Sequence, residues 1–174
     1  MSLLEVKHLD VGFKTKLGTV EAVNDVSFHI DKGEIFGFIG ESGSGKSVIG
    51  MSLLRLLPRN ALVKGSAIFE GTDLLDAGEE EMQRLRGKEI AFIPQNPSDS
   101  LNPLMKNGQQ ISEVFEAKGH GRKEAKDLAL KVMKRLLIRD PRLSADRYPH
   151  QLSGGMKQRL LTGISLSLQP RLVI

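Results

Sequence analysis

The residues of this chain best suited to chemistry form a glycine-rich loop in its first third. They fit the pattern G-x-x-x-x-G-K-[ST] and are Gly40, Glu41, Ser42, Gly43, Ser44, Gly45, Lys46 and Ser47. Glycines let a backbone curl until successive N–H groups point inward at phosphate oxygens. Lys46 would then reach the β- and γ-phosphates of a nucleotide, and the Ser47 hydroxyl would bind Mg²⁺. The pattern predicts a phosphate-binding loop, with a flexible glycine linker as the alternative.

The elements on either side of this glycine loop decide between the two interpretations. The apolar run Ile35–Ile39 precedes the loop and suits a short strand buried on both faces. Helical spacing follows the loop in Val48, Ile49, Leu53, Leu56 and Leu57, and Pro58 is expected to end that helix. A linker would not lie between a buried strand and an amphipathic helix. The order of elements therefore favours phosphate binding at a helix N-terminus.

A second glycine motif lies near the C-terminal end of the sequence. It reads Leu152, Ser153, Gly154, Gly155, Met156, Lys157, Gln158 and Arg159. A serine and two small residues at a helix start form an anion site, because free N–H groups and the positive end of the helix dipole face the same point. The alternative is an ordinary helix start that Ser153 caps.

The full octet resembles the signature sequence of ABC-type ATPases, and the order of motifs along the whole chain fits that family. In this family two subunits pair head to tail, and the signature of one closes over the nucleotide that the other holds. The resemblance implies that residues 152–158 bind a partner's nucleotide, with Ser153 and Gly155 as ligands of its γ-phosphate. It also implies ATP and Mg²⁺ as cofactors, and a second ATPase subunit, identical or paralogous, as partner.

Two further positions match the pattern of this family. Gln95 corresponds to the glutamine of the Q-loop, which contacts Mg²⁺ or the attacking water and relays the nucleotide state to a transmembrane partner. The alternative for such a glutamine is a solvated loop residue. Phe13 best matches the aromatic residue that stacks on adenine, since stacking needs only a π face. A core position is an equally good interpretation of Phe13.

Finer features resemble one branch of the family, the ATPases of di- or oligopeptide and nickel importers. They are Glu41 in the glycine loop, residues 96–103 after Gln95, and Tyr148–Gln151 before the signature. This resemblance implies permease subunits, an indirect solute-binding protein, and a peripheral location on the cytoplasmic face of the membrane. His150 is then expected to be a spacer and not a metal ligand. The alternatives are a non-transport ABC ATPase of DNA repair or translation, and an inactive truncated remnant.

The pattern of elements predicts an α/β fold of the P-loop NTPase type. An alternating strand pattern is formed by Leu4, Val6, Leu9, Val11 and Phe13, with a slip between Val6 and Leu9. We expect an N-terminal antiparallel β part, a parallel core sheet and a helical subdomain at about residues 98–155, in one domain over residues 1–174. One apolar helix face in that subdomain comprises Ala125, Leu128, Ala129, Val132, Met133, Leu136 and Leu137.

Composition excludes several classes of protein. The 174 residues carry a net charge of +4 and no cysteine, so disulfides and thiolate metal sites are ruled out. The small positive charge is spread along the chain and does not indicate nucleic-acid binding. No apolar run has the length that spans a bilayer, and residues 1–10 do not have the pattern of a signal peptide. We therefore expect a soluble cytoplasmic domain.

The last residues bear on catalysis. Residues 172–174 are expected to begin a buried strand, which in the family leads to an Asp that holds Mg²⁺ and a Glu that polarises the attacking water. These two Walker B carboxylates are absent from the 174 residues, as are the D-loop and the switch histidine. We therefore expect an N-terminal piece of an importer ATPase, with the last part of its core sheet missing, low stability and little ATP hydrolysis by itself.

Overall fold

The first half of the chain forms a four-stranded antiparallel sheet with the strand order β2-β1-β3-β4. The computed structural model describes residues 2–174, which divide into two units, one ending at Arg86 and the other beginning at Gly87. The elements of the first unit are β1 Ser2–Thr15, β2 Gly18–Asp31, α1 Lys46–Leu53, β3 Ala61–Phe69, β4 Thr72–Asp73 and α2 Glu79–Leu85. The prediction of an antiparallel β part at the N-terminus is confirmed.

A bulge in β1 explains the slip in its apolar pattern. Val6 pairs with Phe28 and Leu9 pairs with Val26, so β1 carries one residue more than β2 between these pairs. His8 lies in the bulge and has a φ of 49°. Because the extra residue resets the alternation, Val6 and Leu9 are both buried despite their odd spacing. The predicted slip is confirmed, and a β-bulge is its cause.

The apolar run before the glycine loop does not form the predicted strand. Ile35 and Ile39 are fully exposed, and Phe36 and Phe38 pack on the ring of Phe28 at centroid distances of 5.2 and 5.0 Å. A buried strand needs neighbouring strands for its N–H and C=O groups and other elements on both faces. Within residues 2–86 no strand pairs with this run. The prediction of a strand buried on both faces is therefore wrong for the described chain.

The second unit combines helices with a short parallel pair of strands. Its elements are β5 Ile90–Ala91, α3 Pro97–Ser100, α4 Asn107–Glu116, α5 Arg122–Arg135, α6 Pro141–Asp146, a 3-10 helix Pro149–Gln151, α7 Gly154–Leu166 and β6 Leu172–Val173. Ile90 pairs with Leu172 and Ala91 with Val173, both in parallel. The expected strand at the end of the sequence is confirmed, and in this unit the parallel sheet consists of that pair. The bounds 98–155 for a helical subdomain stay a prediction, as does one domain over residues 1–174.

The core of the second unit lies between α4, α5 and α7. It comprises Leu101, Ile111, Phe115, Ala125, Ala129, Met133, Ile138, Leu152 and Leu160. The apolar face predicted for α5 is confirmed at Ala125, Ala129 and Met133, which are buried, and Leu128, Val132 and Leu136 pack beside them. Leu137 departs from the prediction, because it is 77% exposed. None of the helices in residues 2–174 has the length and apolar character needed to cross a membrane.

Two helices end earlier than their apolar spacing predicts, and both end in the same way. Beyond α1, Arg55 has a φ of 53°, and the Leu56 N–H donates to the Met51 carbonyl at 2.9 Å. Beyond α5, Leu137 has a φ of 53°, and the Ile138 N–H donates to the Met133 carbonyl at 3.1 Å. This is the Schellman pattern, in which a left-handed residue turns the chain away from the helix axis. The reversal places Leu56, Leu57 and Leu137 outside their predicted helices.

Candidate functional site

The glycine loop, residues 40–47, curls tightly at the start of α1. Gly43 and Gly45 have φ angles of +83° and +86°, in the left-handed region that favours glycine. Gly45 is also the N-cap of α1, and a Cβ there would collide with the backbone carbonyl of Ala22 on β2. A Cβ at Gly40 would lie 2.7 Å from the Ser44 hydroxyl. The loop is therefore closed on itself and pressed against the sheet, and its conformation requires these glycines.

The Lys46 side chain turns back into this curl. Its Nζ donates to the carbonyl oxygens of Gly40 and Glu41 at 2.8 and 2.6 Å, and to the Ser44 Oγ at 3.0 Å. Lys46 and Ser47 lie in the first turn of α1, and this turn contains no acidic residue. The ammonium charge and the free N–H groups at the positive end of a helix both attract an anion to this point. This geometry fits the phosphate-binding role that the sequence predicts.

Phe13 lies in the same unit as the glycine loop. It is half-buried in β1, where it pairs with Val20 on β2 and with Ala61 on β3. Gly45 of the loop packs against Ala22, two residues along β2 from Val20. Phe13 is thus not part of the fully buried core of the first unit. Its partner on β2, Val20, lies two residues from Ala22, which supports the loop. Its role as the adenine-stacking residue stays a prediction.

The signature motif, residues 152–158, lies at the start of α7, where a helix was expected to begin. The Ser153 Oγ accepts the N–H of Met156 at 3.4 Å, and α7 begins at Gly154. Leu152 is buried in the core of the second unit and anchors the motif from behind. Ser153, Gly154 and Gly155 are exposed, and a Cβ at either glycine would meet no heavy atom within 4 Å. The start of α7 is therefore open on its outer side.

Gln95 stands exposed on a short connection between β5 and α3. Asn96 follows it as the N-cap of α3, and its Oδ1 accepts the Ser98 N–H at 3.1 Å. Farther along, the Gln110 side chain binds both backbone groups of Asn102 at 3.0 Å. Sequence reasoning missed α3 and this Gln110 clamp, although Asn96-Pro97 has the pattern of a capped helix start with Pro at N1.

The predicted site residues fall into two groups, one in each unit. The glycine loop and Phe13 belong to the first unit, and Gln95 and the signature motif belong to the second. The histidines are not gathered into a metal centre, since no three or more His, Asp or Glu side chains within residues 2–174 are placed to hold an ion. His150 stacks on Tyr148 at a centroid distance of 5.8 Å. Ser47 and Gln95 stay predicted ligands of Mg²⁺.

Known proteins resemble this chain in both sequence and fold. Residues 23–174 match the family described as ABC transporter. The chain is 44% identical over 175 residues to the oligopeptide transport ATP-binding protein OppD of Bacillus subtilis (strain 168), covering 99% of this chain and 49% of that protein. It is 43% identical over 175 residues to the dipeptide transport ATP-binding protein DppD of Lactococcus lactis subsp. cremoris (strain MG1363), covering 99% and 50%. The chain thus spans about half the length of the curated relatives it matches.

A solved structure supports the fold assignment. The dimeric, post-hydrolysis ATP-binding cassette MJ0796, bound to ADP and Pi, superposes with a TM-score of 0.85 at 24% identity. The match covers 98% of this chain and 72% of that one. The predicted α/β fold of the P-loop NTPase type is confirmed by this similarity.

Proposed function

The chain belongs to the ABC transporter family, and from this premise we propose that it is the ATP-binding part of an importer subunit. The subunit would couple ATP binding and hydrolysis to uptake of peptides, with nickel as the second solute that the sequence motifs allow. The names of the relatives, which are oligopeptide and dipeptide transport proteins, support the choice of peptides. The observation that carries ATP binding is the Lys46 ammonium inside the curl of the glycine loop.

Residues 40–47 would hold the β- and γ-phosphates. The Lys46 Nζ now donates to neutral oxygens of the loop itself, and phosphate oxygens would take their place as charged and stronger acceptors. The Ser47 hydroxyl, in the first turn of α1, would bind Mg²⁺, which supplies further neutralisation of the phosphate charge. Phe13 would stack on the adenine. Each of these residues lies in the first unit, which therefore carries the nucleotide-holding half of the site.

The signature motif would act on the nucleotide of a second subunit. Its helix start is capped by Ser153 and anchored by Leu152, and the two glycines leave the outer side open. An anchored and uncovered helix start can receive a γ-phosphate brought by another chain. We therefore infer a head-to-tail pair, with this chain or a paralogue as the partner. The cassette MJ0796, whose dimer is described with ADP and Pi, supports such a pairing.

Gln95 would connect the nucleotide to the permease. It is exposed between a strand of the sheet and a capped helix, where it can meet a ligand on one side and a membrane subunit on the other. The subunit would then sit on the cytoplasmic face of the membrane, bound to permease subunits and served indirectly by a solute-binding protein. Nucleic acid is not among the partners that we propose.

Hydrolysis would need more chain than these 174 residues provide. Members of this family hydrolyse ATP, and the resemblance implies that the general base and a further Mg²⁺ ligand are Walker B carboxylates, which residues 1–174 do not contain. We propose that a polypeptide of these 174 residues binds ATP without steady turnover. Phosphate release from the purified polypeptide measures this directly, and a rate like that of a complete family member would overturn it.

ATP binding is tested by Lys46→Ala with a matched control. Removal of a charged hydrogen-bond donor from the phosphate site should weaken Mg-ATP binding about 10- to 100-fold. Titration calorimetry on the 174-residue chain measures this affinity, and circular dichroism checks that the variant is folded. Lys131→Ala removes an exposed lysine of α5 in the other unit and should leave the affinity unchanged. Equal ATP affinity in the Lys46→Ala variant would refute the proposed site.

A further inference from the structure

Two hydrogen bonds from one helix lie on either side of Gln95. Before it, the Phe92 carbonyl accepts the Ser165 Oγ–H at 3.0 Å. After it, the Ser98 Oγ accepts from the Lys157 Nζ at 3.3 Å. Phe92 and Ser98 each stand three residues from Gln95, and both bonds start on α7, the helix that begins with the signature motif. The Gln95 segment, residues 92–98, is therefore attached to α7 at both ends.

Packing adds to these bonds on the α7 side, while Ser98 itself is exposed. Lys157 and Ser165 are half-buried, and Leu101 just beyond α3 is buried in the same core as Leu160 of α7. On the strand side, the Ile93 N–H donates to the Ile174 carbonyl at 2.8 Å and continues the β5–β6 pairing. Gln95 itself is exposed. The segment that carries it is therefore attached to α7 at both ends and, through Ile93, to Ile174 at the end of β6.

The two ends of this attachment differ in their distance from the signature. Lys157 is in the second turn of α7, four residues after the capping Ser153, and Ser165 is near the last turn. A helix rises about 1.5 Å per residue, so the two bonds are roughly 12 Å apart along its axis. A helical rod held at two such points transmits a tilt as well as a translation. Of the two bonds, the one from Lys157 is nearer to the first turn of α7.

We propose that Lys157 and Ser165 are positioning residues that couple the signature motif to Gln95. The inference rests on the proposed function, in which the start of α7 receives the γ-phosphate of a partner's nucleotide. Engagement of that phosphate moves the first turn of α7, and the Lys157–Ser98 bond carries the movement to the segment that holds Gln95. One subunit thereby senses, through its own Gln95, the nucleotide that its signature motif contacts on the other subunit.

A merely structural role for these two bonds predicts something different. Each bond would then stabilise the second unit, and its loss would act everywhere in that unit without linking particular places. Coupling instead requires that a disturbance at Ser153 reach Ser98 only while Lys157 is present. The two roles are separated by a thermodynamic cycle and not by a single variant.

Amide hydrogen exchange on the 174-residue chain, without nucleotide, tests the attachment. Loss of one net hydrogen bond should speed exchange about fivefold at the amides that the bond protects. We expect this at Ser98 and Leu101 in Lys157→Met, and at Ile93 in Ser165→Ala. Lys157→Arg retains a donor and should restore slow exchange. Unchanged exchange at Ser98, Leu101 and Ile93 in these variants would refute the attachment.

Matched controls remove similar groups that touch nothing in the Gln95 segment. Ser167→Ala lies on the same end of α7, and its hydroxyl donates to the Gly163 carbonyl of that chain segment. Lys131→Met removes an exposed lysine of α5. Neither should alter exchange at residues 92–101. If thermal melting shows that Lys157→Met lowers the overall stability, Ser98→Ala is measured in its place. This variant removes the acceptor of the same hydrogen bond.

The coupling is tested by adding Ser153→Ala, which removes the cap of α7. With Lys157 present, the frayed first turn should speed exchange at Ser98; in the Lys157→Met background, Ser153→Ala should add nothing there. An equal effect of Ser153→Ala in both backgrounds, or none in either, would overturn the inference. Because no nucleotide is present, this outcome is independent of ATP binding, which the Lys46→Ala titration tests separately.

Discussion

The two glycine motifs of this protein are alike in composition but differ in backbone conformation and in the space around their glycines. In the glycine loop, Gly43 and Gly45 take left-handed backbone conformations, and Gly45 is pressed against β2. In the signature motif, Gly154 and Gly155 lie in an ordinary first helical turn with open space beside them. Glycine is needed in the first motif for the conformation of the chain itself, and in the second motif for access by something outside the chain. The comparison predicts that substitutions in the glycine loop lower the stability of the chain, whereas substitutions in the signature motif impair association with a second subunit.

The largest effect is expected from Gly45→Ala. Its methyl group would require a left-handed alanine and would also collide with the Ala22 carbonyl, so we expect a loss of about 3 kcal/mol in the free energy of unfolding. Urea unfolding followed by circular dichroism measures the change. ATP binding should be lost together with stability. A variant as stable as the parent chain would show that the loop does not rest on β2.

Gly43→Ala measures the cost of a left-handed alanine in the absence of a steric clash. Gly43 has a similar positive φ of 83°, and a Cβ there would meet nothing within 4 Å. Only the conformational cost remains, so the free energy of unfolding should fall by about 1 kcal/mol. The same urea titration provides the measurement, with Gly45→Ala as the paired variant. Equal losses in the two variants would mean that contact with Ala22 contributes nothing.

Gly155→Ala is expected to have the smallest effect on folding, with the opposite sign. Alanine is the better helix former, and the open space admits its methyl group, so the free energy of unfolding should rise by about 0.5 kcal/mol. In a longer protein that pairs with a second subunit, the same methyl group should prevent ATP-dependent association, as measured by sedimentation. A stable Gly155→Ala variant that still associates with ATP would contradict a trans role for this motif.

Much of the local structure could be predicted because short-range rules govern it. The slip between Val6 and Leu9 marked the bulge of β1, since alternation must reset where a residue is inserted. A helix was expected to open at residues 153–155, and α7 does begin at Gly154. The buried face of α5 followed from helical spacing as far as Met133. In each case the relevant partners lie within a few residues along the chain or in the next strand.

The predictions that were wrong concern long-range partners or unmarked turns. Ile35–Ile39 has the composition of a buried strand, yet strand formation depends on a neighbour that the first unit does not supply. Leu137 was assigned to the apolar face of α5, although α5 ends before it and Leu137 itself takes a left-handed conformation. Apolar pattern alone does not show where such a reversal occurs.

The sequence by itself determined the family, the phosphate-binding pattern of residues 40–47 and the place where α7 begins. These features depend on residue type and close spacing, which the linear order contains. Only the tertiary structure decided that Gly45 rests on β2 and that Lys157 bonds Ser98, 59 residues away in the chain. Such contacts form between side chains that folding brings together, so no spacing along the sequence encodes them.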